Sequence, residues 1–144
     1  MAGSTRQSIT INAEAAAVMA VIADLPSYPQ WAGEIQEVEV QSTHPDGRAD
    51  RVRFRISAGF ISDEHVLAYV WDGDVSARWS LVTSQMLTAL NGSYTLAPAA
   101  GGGTEVTYEL SADTSAPLPD FLKRQAEKTI IERALGGLKA RVEG

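Results

Sequence analysis

The chain has 144 residues, a net charge of −6, 44% hydrophobic residues and no cysteine. These values are typical of one folded, water-soluble domain, and we expect residues 1–144 to form it. The negative charge argues against general binding to nucleic acid or to anionic membranes, and the lack of cysteine excludes a disulfide framework. No apolar run reaches the ~20 residues of a transmembrane helix, and the first residues lack the apolar centre of a signal peptide. We therefore expect a cytoplasmic protein.

The N-terminal part of the chain predicts one strand and two short helices. Residues 7–11 alternate, with Ile9 and Ile11 on one face. Residues 13–23 carry apolar side chains at helical spacing, and Pro26 ends this helix because the residue before a proline avoids helical conformation. A second helical turn follows at residues 27–31.

Residues 37–40 and 51–56 predict a hairpin in which both faces agree on one register. The apolar face pairs Val38 with Phe54 and Val40 with Val52. The same register places Glu39 opposite Arg53 and Glu37 opposite Arg55. The arginines therefore favour a solvent-exposed ion-pair face over a phosphate-binding patch, with at most ~1 kcal/mol per pair.

The strand predicted at residues 61–71 is apolar on both faces. One face carries His65, Leu67, Tyr69 and Trp71, and the other carries Glu64, Val66, Ala68 and Val70. The turn at residues 72–73 distinguishes them: a two-residue loop pairs Trp79 with Val66, and a three-residue loop pairs it with Leu67. We favour the longer loop, which turns the bulky set inward.

Three further strands alternate clearly. The inward residues are Ala77, Trp79, Leu81, Leu90, Gly92, Tyr94, Leu96, Val106, Tyr108 and Leu110. A tight turn at residues 84–85 places Trp79 opposite Leu90, and Gly92 inside a strand indicates a bulge or a sharp bend.

Residues 119–143 predict one helix ~37 Å long, with Pro119 at its first position. Its second half has one apolar side, formed by Ile130, Ile131, Ala134, Leu135, Leu138 and Val142. The apolar residues before it, Leu118, Phe121, Leu122 and Ala126, lie on a stripe rotated well away. This predicts a kink near Thr129, a first half that faces a cavity, or a frayed start. Gly136 and Gly137 each cost ~1 kcal/mol relative to Ala, which indicates a close backbone approach or a bend.

These elements predict an α+β fold. Six sequential strands form an antiparallel sheet of about seven strands in all, and the sheet curves around the long C-terminal helix that covers its apolar face. Two short helices follow the first strand. The inward face has several aromatic residues and few charges, which is typical of an apolar ligand cavity.

Five segments spread along almost the whole chain carry a family resemblance. They are Leu25-Pro-Ser-Tyr-Pro-Gln-Trp31, Arg78-Trp-Ser-Leu81, Leu90-Asn-Gly-Ser-Tyr-Thr-Leu96, Gly103-Thr-Glu-Val-Thr-Tyr108 and Pro119-Asp-Phe-Leu-Lys-Arg124. They resemble the helix-grip (SRPBCC) superfamily of START domains, birch-pollen-allergen-like proteins and polyketide cyclases/dehydrases. The resemblance is greatest to small mycobacterial and other actinobacterial cyclase/dehydrase-like proteins.

The resemblance implies a hydrophobic cavity between the sheet and the long helix. The residues expected to line it by resemblance are Trp79, Leu90, Tyr94, Tyr108, Leu122 and Ile130, with Trp31 near its mouth. The inward-facing positions of the preceding strands add Phe54, Leu67 and Tyr69 as ligand-binding candidates.

The titratable residues form no recognisable catalytic or metal site. His44 lies in a turn and is expected to be solvated. His65 can act as a general acid or base if it faces the cavity, but a place at a strand end or on the outer face is favoured. Two separate histidines without cysteine do not supply the usual zinc or iron ligands, and no glycine-rich phosphate loop precedes a helix. We assign no catalytic residue, metal or cofactor.

Three functions are compatible with these features. The favoured one is binding of a hydrophobic small molecule, lipid-like or polycyclic, by a monomer or homodimer. The alternative is a polyketide cyclase/dehydrase that uses cavity tyrosines and His65. The third is a ribosome-associated, toxin-like interaction protein, which the net charge of −6 disfavours.

Overall fold

The computed structural model describes residues 4–58, 61–115 and 119–144. Its elements in chain order are β1 (Thr5–Ile11), α1 (Ala15–Ala23), a 3₁₀ helix (Leu25–Gln30), β2 (Ile35–Val40), β3 (Arg51–Ala58), β4 (Ile61–Asp72), β5 (Ser76–Ser84), β6 (Leu87–Pro98), β7 (Thr104–Thr114) and α2 (Asp120–Glu143). The strands form one antiparallel sheet in the order β1-β7-β6-β5-β4-β3-β2. The predicted α+β fold, with about seven strands and a long C-terminal helix, is confirmed.

The long helix α2 packs across the sheet, where it contacts β1, β7 and β3, and α1 packs beside it. The side chains at the centre of this core are fully buried; the largest are Ile11, Met19, Ile22, Leu25, Ile131 and Leu138. Within the described residues, no helix is long and apolar enough to cross a membrane.

The β2–β3 hairpin has the predicted register. Val38 pairs with Phe54, and Glu39 pairs with Arg53. Arg53 forms ion pairs with Glu37, Glu39 and Glu64 on the outer face. The predicted ion-pair face is therefore confirmed.

Strand β4 turns its bulky side chains inward, as predicted. His65, Leu67 and Tyr69 are at most 4% exposed, whereas Val70 is 55% exposed. The loop to β5 has three residues between the paired Asp72 and Ser76. Trp79, however, lies opposite Tyr69 and not opposite Leu67. The error of two positions left the predicted face intact, because side chains alternate with a period of two.

The predicted pairing of Trp79 with Leu90 is wrong, since Trp79 lies opposite Gly92. Strand β5 pairs with β6 only from Ser76 to Ser80, so the pairing does not continue to the short connection at residues 85–86, as the prediction assumed. A Cβ atom at Gly92 would lie 2.3 Å from Cε2 of Trp79. Gly92 therefore leaves room for the indole ring on the neighbouring strand.

The first half of α2 departs from the predicted apolar stripe. The helix begins at Asp120, directly after Pro119, so a frayed start is wrong. Phe121 is 71% exposed, while Glu127 is 3% exposed. Leu118, which the prediction included in the stripe, lies outside the described residues. The first half therefore does not contribute Phe121 to the core, and its inward side contains polar residues.

The glycine pair in α2 has one member that permits close packing. A Cβ atom at Gly137 would lie 2.1 Å from the carbonyl oxygen of Trp31, whereas one at Gly136 would meet no atom within 4 Å. The predicted close backbone approach is thus confirmed for Gly137.

Candidate functional site

A cavity of about 90 Å³ lies between the sheet and α2. Its walls come from the 3₁₀ helix and the residues after it, from β3 to β7 and from α2. The sequence-predicted residues that line it are Trp31, Phe54, Leu67, Tyr69, Trp79, Leu90, Tyr94, Tyr108 and Ile130. The structure thus brings these candidates together around one space.

The remaining candidate, Leu122, does not line this cavity. Ile130 and Ala134 are the residues of α2 that do. At 100° per residue, Leu122 lies about 80° around the helix from Ile130, which turns its side chain away from the cavity.

Four aromatic rings form one wall of the cavity. The ring centroid of Trp79 lies 5.5 Å from those of Tyr69, Tyr94 and Tyr108. Tyr94 and Tyr108 meet edge to face at 4.7 Å. The sheet register produces this cluster, because Tyr69 pairs with Trp79 on β4 and β5, and Tyr94 pairs with Tyr108 on β6 and β7. Such edge-to-face and tilted contacts stabilise aromatic clusters and fix the ring positions.

The tyrosines that line the cavity are buried. Tyr28 donates a hydrogen bond to the carbonyl oxygen of Ile22. Among the described residues, no protein partner accepts or donates a hydrogen bond at the hydroxyls of Tyr69, Tyr94 and Tyr108. Burial raises the pKa of each of the three above its usual range, so they are protonated at neutral pH. Each can therefore donate to, or accept from, a polar group of a ligand.

His65 lies on the inward face of β4 and lines the cavity, so the favoured prediction of a strand end or outer face is wrong. Its Nδ1 atom is 3.1 Å from Oδ2 of the buried Asp63. Burial lowers the pKa of His65, and the hydrogen bond and charge of Asp63 partly oppose this. In the neutral ring, Nδ1–H donates to Asp63, which leaves Nε2 as an acceptor.

Asp63 was not predicted, and it holds His65 in place. It accepts hydrogen bonds from the Ser84 hydroxyl at 2.5 Å and from the Met86 amide at 3.1 Å. The alternation of β4 places positions 63 and 65 on one face, and this signal was available in the sequence.

The other histidine is also less exposed than predicted. Nε2 of His44 lies 2.8 Å from the carbonyl oxygen of Tyr69, and the residue is half-buried. His44 folds back onto β4 because the β2–β3 connection bends over that strand, where the indole N–H of Trp71 donates to the carbonyl of Ala49.

Glu34 is a charged lining residue that sequence reasoning missed. It is 4% exposed, and its Oε1 atom lies 3.3 Å from Nε of Arg133, whose side chain is 62% exposed. Burial is the main cause of the raised pKa of Tyr108, and the negative charge of Glu34 is the second cause. No periodic pattern marks Glu34, because it lies in the connection between the 3₁₀ helix and β2.

Two buried polar atoms of residues that line the cavity have no hydrogen-bond partner within the part of the chain that the structure describes. They are Oε1 of Glu34 itself and Nε1 of Trp31, and both are buried. The guanidinium of Arg133 is therefore close enough to Oε1 of Glu34 for an ion pair, but the geometry is not that of a hydrogen bond.

A smaller cavity of about 40 Å³ adjoins the first. Four residues line both cavities: Ile56, Leu90, Leu110 and Ile130. Lys123, Ala126 and Glu127 of α2 line the smaller one, so the first half of the helix faces a cavity, as one of the sequence alternatives proposed. Here α2 is held by polar contacts, since Glu127 accepts from the Thr5 hydroxyl at 2.7 Å and from the Ala112 amide at 3.0 Å.

The sequence matches the family described as "Polyketide cyclase / dehydrase and lipid transport" over residues 2–143. The chain belongs to this family. The predicted resemblance is confirmed, and the family description agrees with the predicted binding of hydrophobic small molecules. No curated protein matches the chain at the sequence level.

Several solved structures share the fold of this chain. A START superfamily protein from Mycobacterium smegmatis is 19% identical, with a TM-score of 0.89 and coverage of 97% of each chain. The Zhui aromatase/cyclase from a Streptomyces species is 14% identical, with a TM-score of 0.82 over 99% of this chain and 94% of that one. A STAR-related lipid transfer protein from Xanthomonas axonopodis is 20% identical, with a TM-score of 0.76 over 98% of this chain and 86% of that one.

Proposed function

We propose that this protein binds a hydrophobic small molecule, lipid-like or polycyclic, in the cavity between the sheet and α2. The observation that carries the proposal is an apolar space whose walls include Tyr69, Tyr94 and Tyr108, and the described residues offer their hydroxyls no hydrogen-bond partner. Ligand sites are commonly apolar cavities with a few polar groups that fix orientation. The family description, which names lipid transport, supports the same reading. A single domain, a cytoplasmic location, no binding to nucleic acid and a monomeric or homodimeric state belong to the same proposal.

The proposal is tested by filling the cavity. Ala134 lines the cavity and is 7% exposed, whereas Ala140 lies on the exposed side of the same helix. The wild-type protein, purified from its native host, is expected to carry a ligand in native mass spectrometry. Ala134→Leu should lose it, because the added carbons occupy the space, while Ala140→Leu should retain it. A wild-type protein without ligand, or equal occupancy in Ala134→Leu and Ala140→Leu, would contradict the proposal.

A second candidate is the dehydration step of a polyketide cyclase/dehydrase. The observation that favours it is the 3.1 Å contact of His65, which lines the cavity, with the buried carboxylate of Asp63. Neutral His65 can remove the proton on the carbon between a ketone and a hydroxyl-bearing carbon. It then returns that proton to the departing hydroxyl, so that an unsaturated ketone and water are the products.

This activity is tested with a β-hydroxy ketone attached to a small aromatic ring. His65→Gln keeps a donor for Asp63 but removes the base, so turnover should fall by about 10²–10⁴-fold while the affinity for the substrate stays similar. His44→Gln, which changes a histidine that does not line the cavity, should retain turnover. Equal turnover in wild type and His65→Gln would exclude the mechanism.

A further inference from the structure

The two adjoining cavities differ in the kind of side chain that lines them. The larger cavity has the wall of four aromatic rings, from Tyr69, Trp79, Tyr94 and Tyr108, and none of these rings lines the smaller cavity. Among the described residues, the smaller cavity is lined by no aromatic side chain, and most of its lining residues are aliphatic. A ring-lined space therefore lies beside an aliphatic one.

The long polar side chains at the smaller cavity already have partners in the protein. Nζ of Lys123 lies 2.7 Å from Oδ1 of Asp113. One carboxyl oxygen of Glu127 accepts a hydrogen bond from the Thr5 hydroxyl, and the other accepts from the Ala112 amide. A polar ligand group would have to displace one of these contacts, which costs free energy. The smaller cavity therefore suits the hydrocarbon part of a ligand.

Four aliphatic side chains form a partition between the two cavities. Ile56, Leu90, Leu110 and Ile130 line both spaces, which have volumes of about 90 and about 40 Å³. By comparison, an apolar cavity of ~150 Å³ holds one benzene molecule. A ligand larger than a single ring must therefore extend from one cavity into the other, and the side chains of the partition change rotamer to let it pass.

We infer that the ligand has one ring and a flexible hydrocarbon chain, with the ring in the larger cavity and the chain in the smaller one. This inference rests on the proposed function, and it narrows the lipid-like or polycyclic class to single rings that carry a linear chain. An aromatic ring gains edge-to-face and offset contacts with the four-ring wall. A chain is narrower than a rigid fused-ring system, so it displaces the partition less and causes less overpacking.

Two alanines of α2 allow each cavity to be filled separately. Ala134 lines the larger cavity and Ala126 lines the smaller one, and neither lines both. They are about two helical turns apart, or ~12 Å along the axis. Leucine adds three carbons at either position. Ala140, on the exposed side of the same helix, is the matched control.

The test compares three probes: para-cresol, para-hexylphenol and a phenanthrol, which has three fused rings. Their dissociation constants are measured by isothermal titration calorimetry with the whole chain. Wild type should bind para-hexylphenol more tightly than para-cresol by about threefold to fourfold per added methylene that is buried. It should bind the phenanthrol at least about tenfold more weakly than para-hexylphenol, because the rigid rings must push the partition farther apart.

The three leucine variants locate the chain. Ala126→Leu should weaken binding of para-hexylphenol at least about tenfold and leave the affinity for para-cresol within about twofold, since only the smaller cavity is filled. Ala134→Leu should weaken binding of both phenols, and Ala140→Leu should weaken neither. The retained binding of para-cresol also verifies that Ala126→Leu is folded.

The possible outcomes separate this inference from the proposed function. If Ala126→Leu weakens binding of both phenols equally, or of neither, the chain does not occupy the smaller cavity, and the inference is overturned while hydrophobic ligand binding stands. Tighter binding of the phenanthrol than of para-hexylphenol would also overturn it. If wild type binds none of the three probes, the proposed function is contradicted and the inference falls with it.

Discussion

Gly136 and Gly137 are neighbours in α2, but an added methyl group has opposite consequences at the two positions. At Gly137 it would lie 2.1 Å from the Trp31 carbonyl oxygen, and at Gly136 it would meet nothing within 4 Å. Gly136→Ala should raise the free energy of unfolding by up to ~1 kcal/mol, because alanine is the better helix former. Gly137→Ala should lower it by ~1–3 kcal/mol despite the same gain, because α2 must move away from Trp31. Urea unfolding of both variants measures this difference, and equal stabilisation would show that the contact is not tight.

Some residues of the candidate site could be predicted from the sequence, and others could not. Tyr94 and Tyr108 were found because alternation along a strand assigns a face to every residue. Glu34 was missed because it lies between elements, where no period applies and a glutamate is expected in solvent. His65 was misplaced although the inward face of β4 was predicted correctly, because a histidine was expected at a strand end or on the outer face of the sheet.

Among the strand pairs, the register was predicted correctly where both faces of a hairpin required the same pairing. The β2–β3 hairpin satisfied both an ion-pair face and an apolar face, and its register was right. The β4–β5 and β5–β6 pairings relied on assumed turn lengths and were wrong by two positions. Such an error preserves the face, which is why Trp79 was still placed in the cavity.

The pattern of apolar residues in α2 did not predict which side of its first half faces inward. The sequence placed Phe121 on an apolar stripe of the first half of the helix, but that residue is 71% exposed. The inward side of the first half instead carries Lys123 and Glu127, with Lys123 paired to Asp113 at 2.7 Å. The partners of Glu127 are Thr5 and Ala112, far away in sequence. A buried polar contact of this kind depends on which strand edges meet the helix, and this is a property of the assembled fold.

The burial of His65 in the cavity makes the free energy of unfolding of the whole molecule depend on pH. Burial lowers the pKa of His65 in the folded state, while the unfolded chain keeps the ordinary value of about 6.5. As the pH falls below that value, the unfolded state takes up a proton before the folded state does. The free energy of unfolding should therefore be highest above about pH 6.5 and should decrease below it, by up to ~1.4 kcal/mol per pH unit.

Urea unfolding between about pH 7.5 and about pH 5.5 measures this decrease, and His65→Gln should remove it because glutamine does not titrate. Glu37 and Glu143 also have lowered pKa values, but their contribution is lost only as the pH falls below their ordinary value of 4.5, outside this range. A ligand that donates a hydrogen bond to Nε2 of His65 should extend the stable range further downwards in pH, since protonation of that atom would break the bond. If wild type and His65→Gln lose stability with the same slope, His65 titrates alike in both states, and the cavity does not hold it neutral.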